Sequence, residues 1–340
     1  MYQNQHRHVH QQQKPTLDSL NCNSFCSDPR PDVSPYVTNN YSFQNLISIC
    51  FNNYESCPLD YKDISCWNTA GITDMSSAFY NESFNAPLEC WEVGKVTSMY
   101  RMFQYATKFN YPIGTWNVSQ VEDMRYMFSS AKKFNQSIES WDVSQVKNMQ
   151  RMIRYSKFNQ SIDSWDVSQV ENMDGMFYYA LKFNQPIDSW DVSQVKTTQD
   201  MFLGAKAFNK PIDSWDVSQV ENMNGMFFSA GDFNQCLSTW AEKTTDTVYT
   251  NNMLAGTDCP RGIDSPNATI GPWCQNYTQG CFAPGYEPSQ QPSNFPSKKP
   301  TDVPTKPPTT SPTNSPTTKS TKKKSTKKTK KQVKKKSKKL

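Results

Sequence analysis

Tryptophan stands at 67, 91, 116, 141, 165, 190, 215 and 240, in steps of 24 or 25 residues. A side chain this large, returning on so even a count, makes the middle of the chain a tandem array. A period near 25 belongs to solenoid-type repeats, in which no unit buries its apolar face alone and neighbours must stack to form a core. Counted from Trp, the unit is W-D-V-S-Q-V-x-N-M-x-x-M-F-x-x-A-x-x-F-N-Q-x-I-x-S. The two shorter steps drop one residue near Tyr155 to Lys157 and one before Phe84. Both gaps fall between M-F and F-N, where a loop tolerates deletion.

The unit divides into parts of different period. Ile187-Asp188-Ser189-Trp190-Asp191-Val192 has the L-x-x-L-x-L spacing of a leucine-rich-repeat strand, with Trp190 and Val192 on one face. Ser193 then stands as a helix N-cap, and Ser119/Glu122, Ser168/Glu171 and Ser218/Glu221 have capping-box spacing. Val220, Met223, Met226, Phe227 and Ala230 recur at three and four, one face of a short helix. F-N-Q turns the chain back. The expected fold class is therefore an α/β repeat. It is a leucine-rich-repeat-like solenoid with one short parallel strand and one short helix per unit, Cys-rich caps and a disordered C-terminal tail. Its core is Trp, Met and Phe, since the whole chain holds only ten Leu.

The string F-N-Q-x-I-x-S-W-D-V-S-x-V-x-x-M-x-x-M-F resembles the BspA-type leucine-rich repeat of surface proteins, which also occurs in mycoplasma lipoproteins and some microbial eukaryotes. The resemblance covers roughly residues 60 to 255. It implies a secreted or cell-surface protein with a binding or adhesive role and no known catalytic residues. The chain departs from the pattern in its Cys-bearing flanks, in Met152-Ile153 where M-F is expected, and in Thr198 where the first Met is expected.

None of the ten cysteines lies between Cys90 and Cys236. Six are N-terminal (Cys22, Cys26, Cys50, Cys57, Cys66, Cys90) and four C-terminal (Cys236, Cys259, Cys274, Cys281). Even clusters at the two open ends of a stack suggest disulfide-stapled caps in an oxidising compartment. Pairing is not readable: six Cys allow 15 pairings and four allow three. The expected organisation is a Gln/His-rich arm over 1–40, a cap over 41–66, seven repeats over 67–240, a second cap over 241–282, a Pro/Ser/Thr spacer over 283–318 and a Lys-rich tail over 319–340. Of the N-x-S/T sequons, Asn40, Asn267 and Asn276 are the expected glycosylation sites. Asn135 and Asn159 instead fill the F-N-Q position, with Asn85, Asn110, Asn184, Asn209 and Asn234. A polar residue recurring there suggests a buried Asn ladder serving the backbone of successive turns.

The formal net charge of +5 is an average of two opposites. Lys298 to Leu340 carries 16 Lys and one acid, Asp302, for +15, which leaves the remainder near -10. This excludes a uniformly basic nucleic-acid binder. Proline recurs every fourth residue from Pro284 to Pro316, favouring an extended spacer. Beyond it 13 of 22 residues are Lys. The expected partners are an extracellular protein or polysaccharide on the solenoid. On the tail they are a polyanion: wall polysaccharide, mineral such as silica, or lipid headgroups. A nuclear or nucleic-acid role of the tail is the alternative.

No stretch approaches the roughly 20 apolar residues of a membrane span. The first residues, M-Y-Q-N-Q-H-R-H, have no apolar leader core, so the extracellular reading expects a leader encoded upstream of this start, and the alternative is a nuclear or cytoplasmic protein that stays inside the cell. The three His, at 6, 8 and 10, leave no base for a Ser or Cys nucleophile in the body, so an enzyme is not expected and no cofactor is called for. Asp163, Asp188 and Asp213, with Glu139, precede Trp by two, and Asp142, Asp166, Asp191 and Asp216 follow it. Stacking makes these an acidic stripe for a basic partner or Ca²⁺, or a solvated face with Asp placed for turn chemistry.

Overall fold

The computed structural model describes residue 26 and residues 30–37, 42–52, 54–57, 64–259, 264–268 and 273–274, all within one unit, Met1–Gln291. The His-bearing start of the arm, Cys22, Asn40, Asn276, Cys281, the spacer and the Lys-rich tail lie outside the described residues.

Successive repeats are joined in parallel. Single bridges link Asp74 to Ser98, then Asp123, Asn148, Asn172, Thr197, Asn222 and Tyr249. The bridging residue stands directly before the first Met of the unit, or before the Thr in its place at Thr198 and Thr250. Four rows of backbone hydrogen bonds run through the M-x-x-M-F-x-x segments from one repeat to the next. In one interval, Met173, Gly175, Phe177 and Tyr179 donate to the carbonyls of Thr197, Gln199, Met201 and Leu203 at 2.7 to 3.1 Å. Among the described residues each row contains seven such bonds. A fifth row runs the other way, as in Lys196 to Glu171 and Glu221 to Lys196, both 2.8 Å. The intervening amides close turns inside the unit: Met176 to Met173, Tyr178 to Gly175 and Ala180 to Phe177. The amide two residues beyond the bridge goes to that residue's side chain, as in Asp174 to Asn172 Oδ1 at 2.9 Å. Backbone donors are thus nearly all placed without a regular helix or strand.

This corrects two expectations. The segment Val220 to Ala230 is not a helix and has no capping box. Among the described residues the α-helices are α1 (Phe43–Asn52) and α2 (Trp240–Lys243). Glu122 does not reach back toward Ser119; its carboxylate pairs with Lys147 of the next unit at 2.7 Å. Nor is Ile187 to Val192 a strand: Trp190 N–H closes a turn on Ile187, and Val195 one on Val192. The physical reason is handedness. Each unit places two residues at positive φ, four apart, such as Arg151 and Tyr155 (54° and 53°) or Gly225 and Ser229 (62° and 59°). Left-handed residues break a right-handed helix yet return Met223, Met226, Phe227 and Ala230 to the same inner side. The three-and-four spacing is satisfied by turns.

The side chains inside repeat as strictly as the backbone. Trp165, Trp190 and Trp215 stack with centroids 6.3 to 6.5 Å apart. Each indole N–H donates to a carbonyl of the preceding unit, Trp190 to Ile162 and Trp215 to Ile187 at 3.1 and 2.9 Å. Phe177, Phe202 and Phe227 form a second column at 5.3 and 5.5 Å. Two departures from the repeat are buried within it. Ile153 interrupts the Phe column, and the Thr198 hydroxyl turns to the Met226 sulfur at 3.4 Å.

The ends are closed by different devices. Ser42 Oγ accepts the Asn45 amide and starts α1, whose Phe43, Leu46 and Ile47 are buried at i, i+3 and i+4. Phe43 meets the edges of Trp67 and Trp91, and Phe51 those of Phe79 and Phe84. At the other end the ladder continues past Trp240 into the segment read as a cap, with Asn252 and Gly256 at positive φ. Trp273 covers Trp240 edge-on at 6.5 Å.

Gly204 shows what the left-handed positions demand: at φ 66° an added Cβ would lie 2.9 Å from the Tyr179 ring. Gly204→Ala is expected to destabilise by about 1–3 kcal/mol in urea unfolding. Gly231→Ala, whose Cβ meets nothing within 4 Å, is expected to stay within about 0.5 kcal/mol. Equal effects would contradict the backbone assignment.

Candidate binding face

The two Asp rows are engaged with the backbone. Asp142, Asp166, Asp191 and Asp216 each accept, through Oδ1, the amide of the Ser two residues on, at 3.0 to 3.2 Å. These are Asx turns, and at Asp216 the Ser218 amide, then the Ser218 hydroxyl, hold the carboxyl below its ordinary pKa. In the other row, Asp163 and Asp188 give their backbone carbonyls to the hydroxyls of Ser189 and Ser214, one unit on. Asp213 serves Thr239 and Lys243 in the same way. Ser164 and Glu139 repeat the contact. Among the described residues no group of three or more His, Cys, Asp or Glu is placed to hold a metal ion.

The Asn residues of F-N-Q form one continuous series. Oδ1 of Asn85, Asn110, Asn135, Asn159, Asn184 and Asn209 accepts the backbone amide of the next Asn, at 2.8 to 3.0 Å, ending at Asn234. The series lies at the rim and not in the core, because Asn85 and Asn135 are exposed and the others half-buried. The expectation that burial shields Asn135 is therefore corrected. Asn267 is exposed, and its carbonyl accepts the Trp273 indole at 2.9 Å.

The surface of the M-x-x-M-F segments carries what sequence reading passed over. Tyr and Arg interleave across units: Arg101 lies over Tyr100 and Tyr126, and Arg154 over Tyr155 and Tyr178, at 4.3 to 5.5 Å. Beside this row runs a groove of ≈ 590 Å³ along four consecutive repeats. Tyr105, Tyr155 and Tyr179 line it with Lys132, Lys157 and Lys182, and no Asp or Glu contributes to its wall. The sequence did carry a signal, since Lys stands directly before the Phe of F-N at 108, 133, 157 and 182, of which Lys157 and Lys182 line the groove. The body's excess of acid conceals a basic, aromatic strip.

Farther along the same segments, Asp200 is half-buried at positive φ, near Asp174. Burial chiefly raises its pKa, with the Gln199 hydrogen bond and Arg151 opposing. A raised carboxyl pKa penalises the fold once pH passes the unfolded value, and fully above the folded one. Asp200→Asn, which also tolerates a left-handed backbone, is expected to raise Tm near neutral pH, with the gain vanishing by about pH 3. Thermal melts across pH check this; a constant gain would contradict it.

The caps are cross-linked by Cys26–Cys66, Cys50–Cys57 and Cys259–Cys274, and Cys90 and Cys236 are also disulfide-bonded. No described cysteine is free. No helix among the described residues is long and apolar enough to cross a membrane. No curated protein and no solved structure matches the chain. Residues 45–161 and 153–259, together well over half of the sequence, match one family model in two consecutive copies, so the chain belongs to the family described as Mycoplasma protein of unknown function, DUF285.

Proposed function

We propose that the protein is a non-enzymatic, secreted or cell-surface repeat protein of the BspA-like type, acting in adhesion to protein or polysaccharide. Its array is a leucine-rich-repeat-like solenoid in which turns and single bridges take the place of strand and helix. The observation that carries this reading is the set of disulfides clamping both ends of the array, with no free cysteine among the described residues. Disulfides persist in oxidising compartments and are rare in the cytosol. Family membership is consistent with it. The Asp that follows each Trp repeats one backbone contact from copy to copy, whereas acid–base catalysis needs two carboxylates in unlike environments. The Lys-rich segment 319–340 supplies a second function: docking onto an anionic wall, matrix or mineral by charge alone.

Protein isolated from its own cells under alkylating conditions is expected to show none of its ten cysteines labelled before reduction and all ten after it. Ten labelled thiols before reduction would overturn the extracellular assignment. Retention of the full chain on a silica or anionic polysaccharide surface is expected to fall steeply between about 0.05 and 0.5 M salt. It is also expected to be lost when the Lys residues of 319–340 are replaced by Gln.

A further inference from the structure

Resting on the reading of the array as a surface-binding module, we propose that the groove along Tyr105, Tyr155 and Tyr179 is the ligand site. Its ligand is a linear anionic polysaccharide, with sugar faces on the tyrosine rings and carboxylate or sulfate groups met by Lys132, Lys157 and Lys182.

Three observations lead there. The first is strain without burial. Tyr105, Tyr155 and Tyr179 occupy left-handed positions at φ 62°, 53° and 52°. A side chain there is strained, and the equivalent position is Gly at 204 and 256 and Asn or Ser at 81, 130 and 229. The core does not offset that strain, since Tyr105 and Tyr155 remain 39% exposed. The left-handed backbone belongs to every unit, so what is particular to these units is a large ring at a position that small residues fill elsewhere. The second is charge. Lys132, Lys157 and Lys182 are exposed, and the groove wall carries no acid, in a body whose overall balance is acidic. Leu181, 45% exposed, adds an apolar floor beside the rings. Rings with an apolar face and a polar tip, rimmed by cations, fit a ligand that is apolar on its faces and anionic on its edges.

The third is spacing. The groove crosses four repeats with Tyr155 and Tyr179 ring centroids 5.3 Å apart, Ser130 taking the position between Tyr105 and Tyr155. An extended acidic peptide advances about 3.3 Å per residue, so its successive side chains do not follow the spacing of the rings. Rings set one repeat apart suit a chain of ring-shaped units better than a peptide.

The test is calorimetric titration of the full chain with a decamer of galacturonic acid. It is run in about 0.1 M salt, in parallel on the form whose Lys residues of 319–340 are replaced by Gln, so that the Lys-rich segment's share is removed without screening the groove. Tyr155→Gly with Tyr179→Gly removes two rings and suits the left-handed backbone, so Tm is expected to hold while affinity falls at least about tenfold. Lys157→Glu with Lys182→Glu is expected to weaken binding as much, and a neutral decamer to bind at least about tenfold more weakly. Poly-glutamate is expected not to compete. Absent binding by the unaltered chain, unchanged affinity in either double variant, or poly-glutamate binding with the same groove dependence would each overturn the proposal. Such a failure leaves the cysteine labelling untouched, whereas labelled thiols would overturn the surface reading without altering the titration.

Discussion

The structure depends on peptide groups turned along the axis of the array. In the M-x-x-M-F segments every second peptide bonds to the repeat before through its carbonyl and to the repeat after through its amide. Arg125 O accepts from Arg101, and the amide of the same peptide, on Tyr126, donates to Gln150. A peptide engaged axially on both sides cannot also enter an i→i−4 ladder, so the helix is excluded by the bonding that holds neighbouring repeats together. Intervening peptides close turns, and two left-handed residues per unit make both orientations compatible.

That requirement explains much of the repeat's composition. The Asn, Asp, Ser or Thr before the first Met supplies a side-chain oxygen to an amide that the axial rows omit. The Trp indole, the Asn of F-N-Q and the Ser before Trp each tie one unit to the previous one. The repeats share this set of bonds except at Thr115 Oγ1 and Trp240 Nε1, which are buried without a hydrogen-bond partner among the described residues, and stability accumulates by nearest-neighbour terms. Thr198 tests the tolerance of that scheme: its buried hydroxyl finds only a thioether partner, a weak acceptor.

The array, its register and its core were legible because burial recurs with the period. Trp190, Val192, Met223, Met226, Phe227 and Ala230 are all buried. The local conformation was not. Spacing of three and four records which side chains face inward and carries no information on the sign of φ, and turns reproduce it as well as a helix does. The hint was present in Gly175, Gly204 and Gly225, which occupy left-handed positions filled by Arg, Tyr, Asp or Ser elsewhere. The acidic rows were legible as residues and ambiguous in role, because Asp reads alike in an Asx turn and on a binding stripe. The Tyr–Lys strip was passed over because net charge sums over faces that point in different directions.

The same turns that exclude a helix set tyrosines at the surface beside lysines, so the proposed binding face follows from the backbone. Scalar couplings across hydrogen bonds, read by NMR on isotope-labelled protein, test that backbone most directly. They should connect the amide of Phe103 to the carbonyl of Met127, that of Phe128 to Met152 and that of Phe177 to Met201. Couplings from those amides to carbonyls four residues earlier would instead establish a helix in each unit and contradict the axial rows.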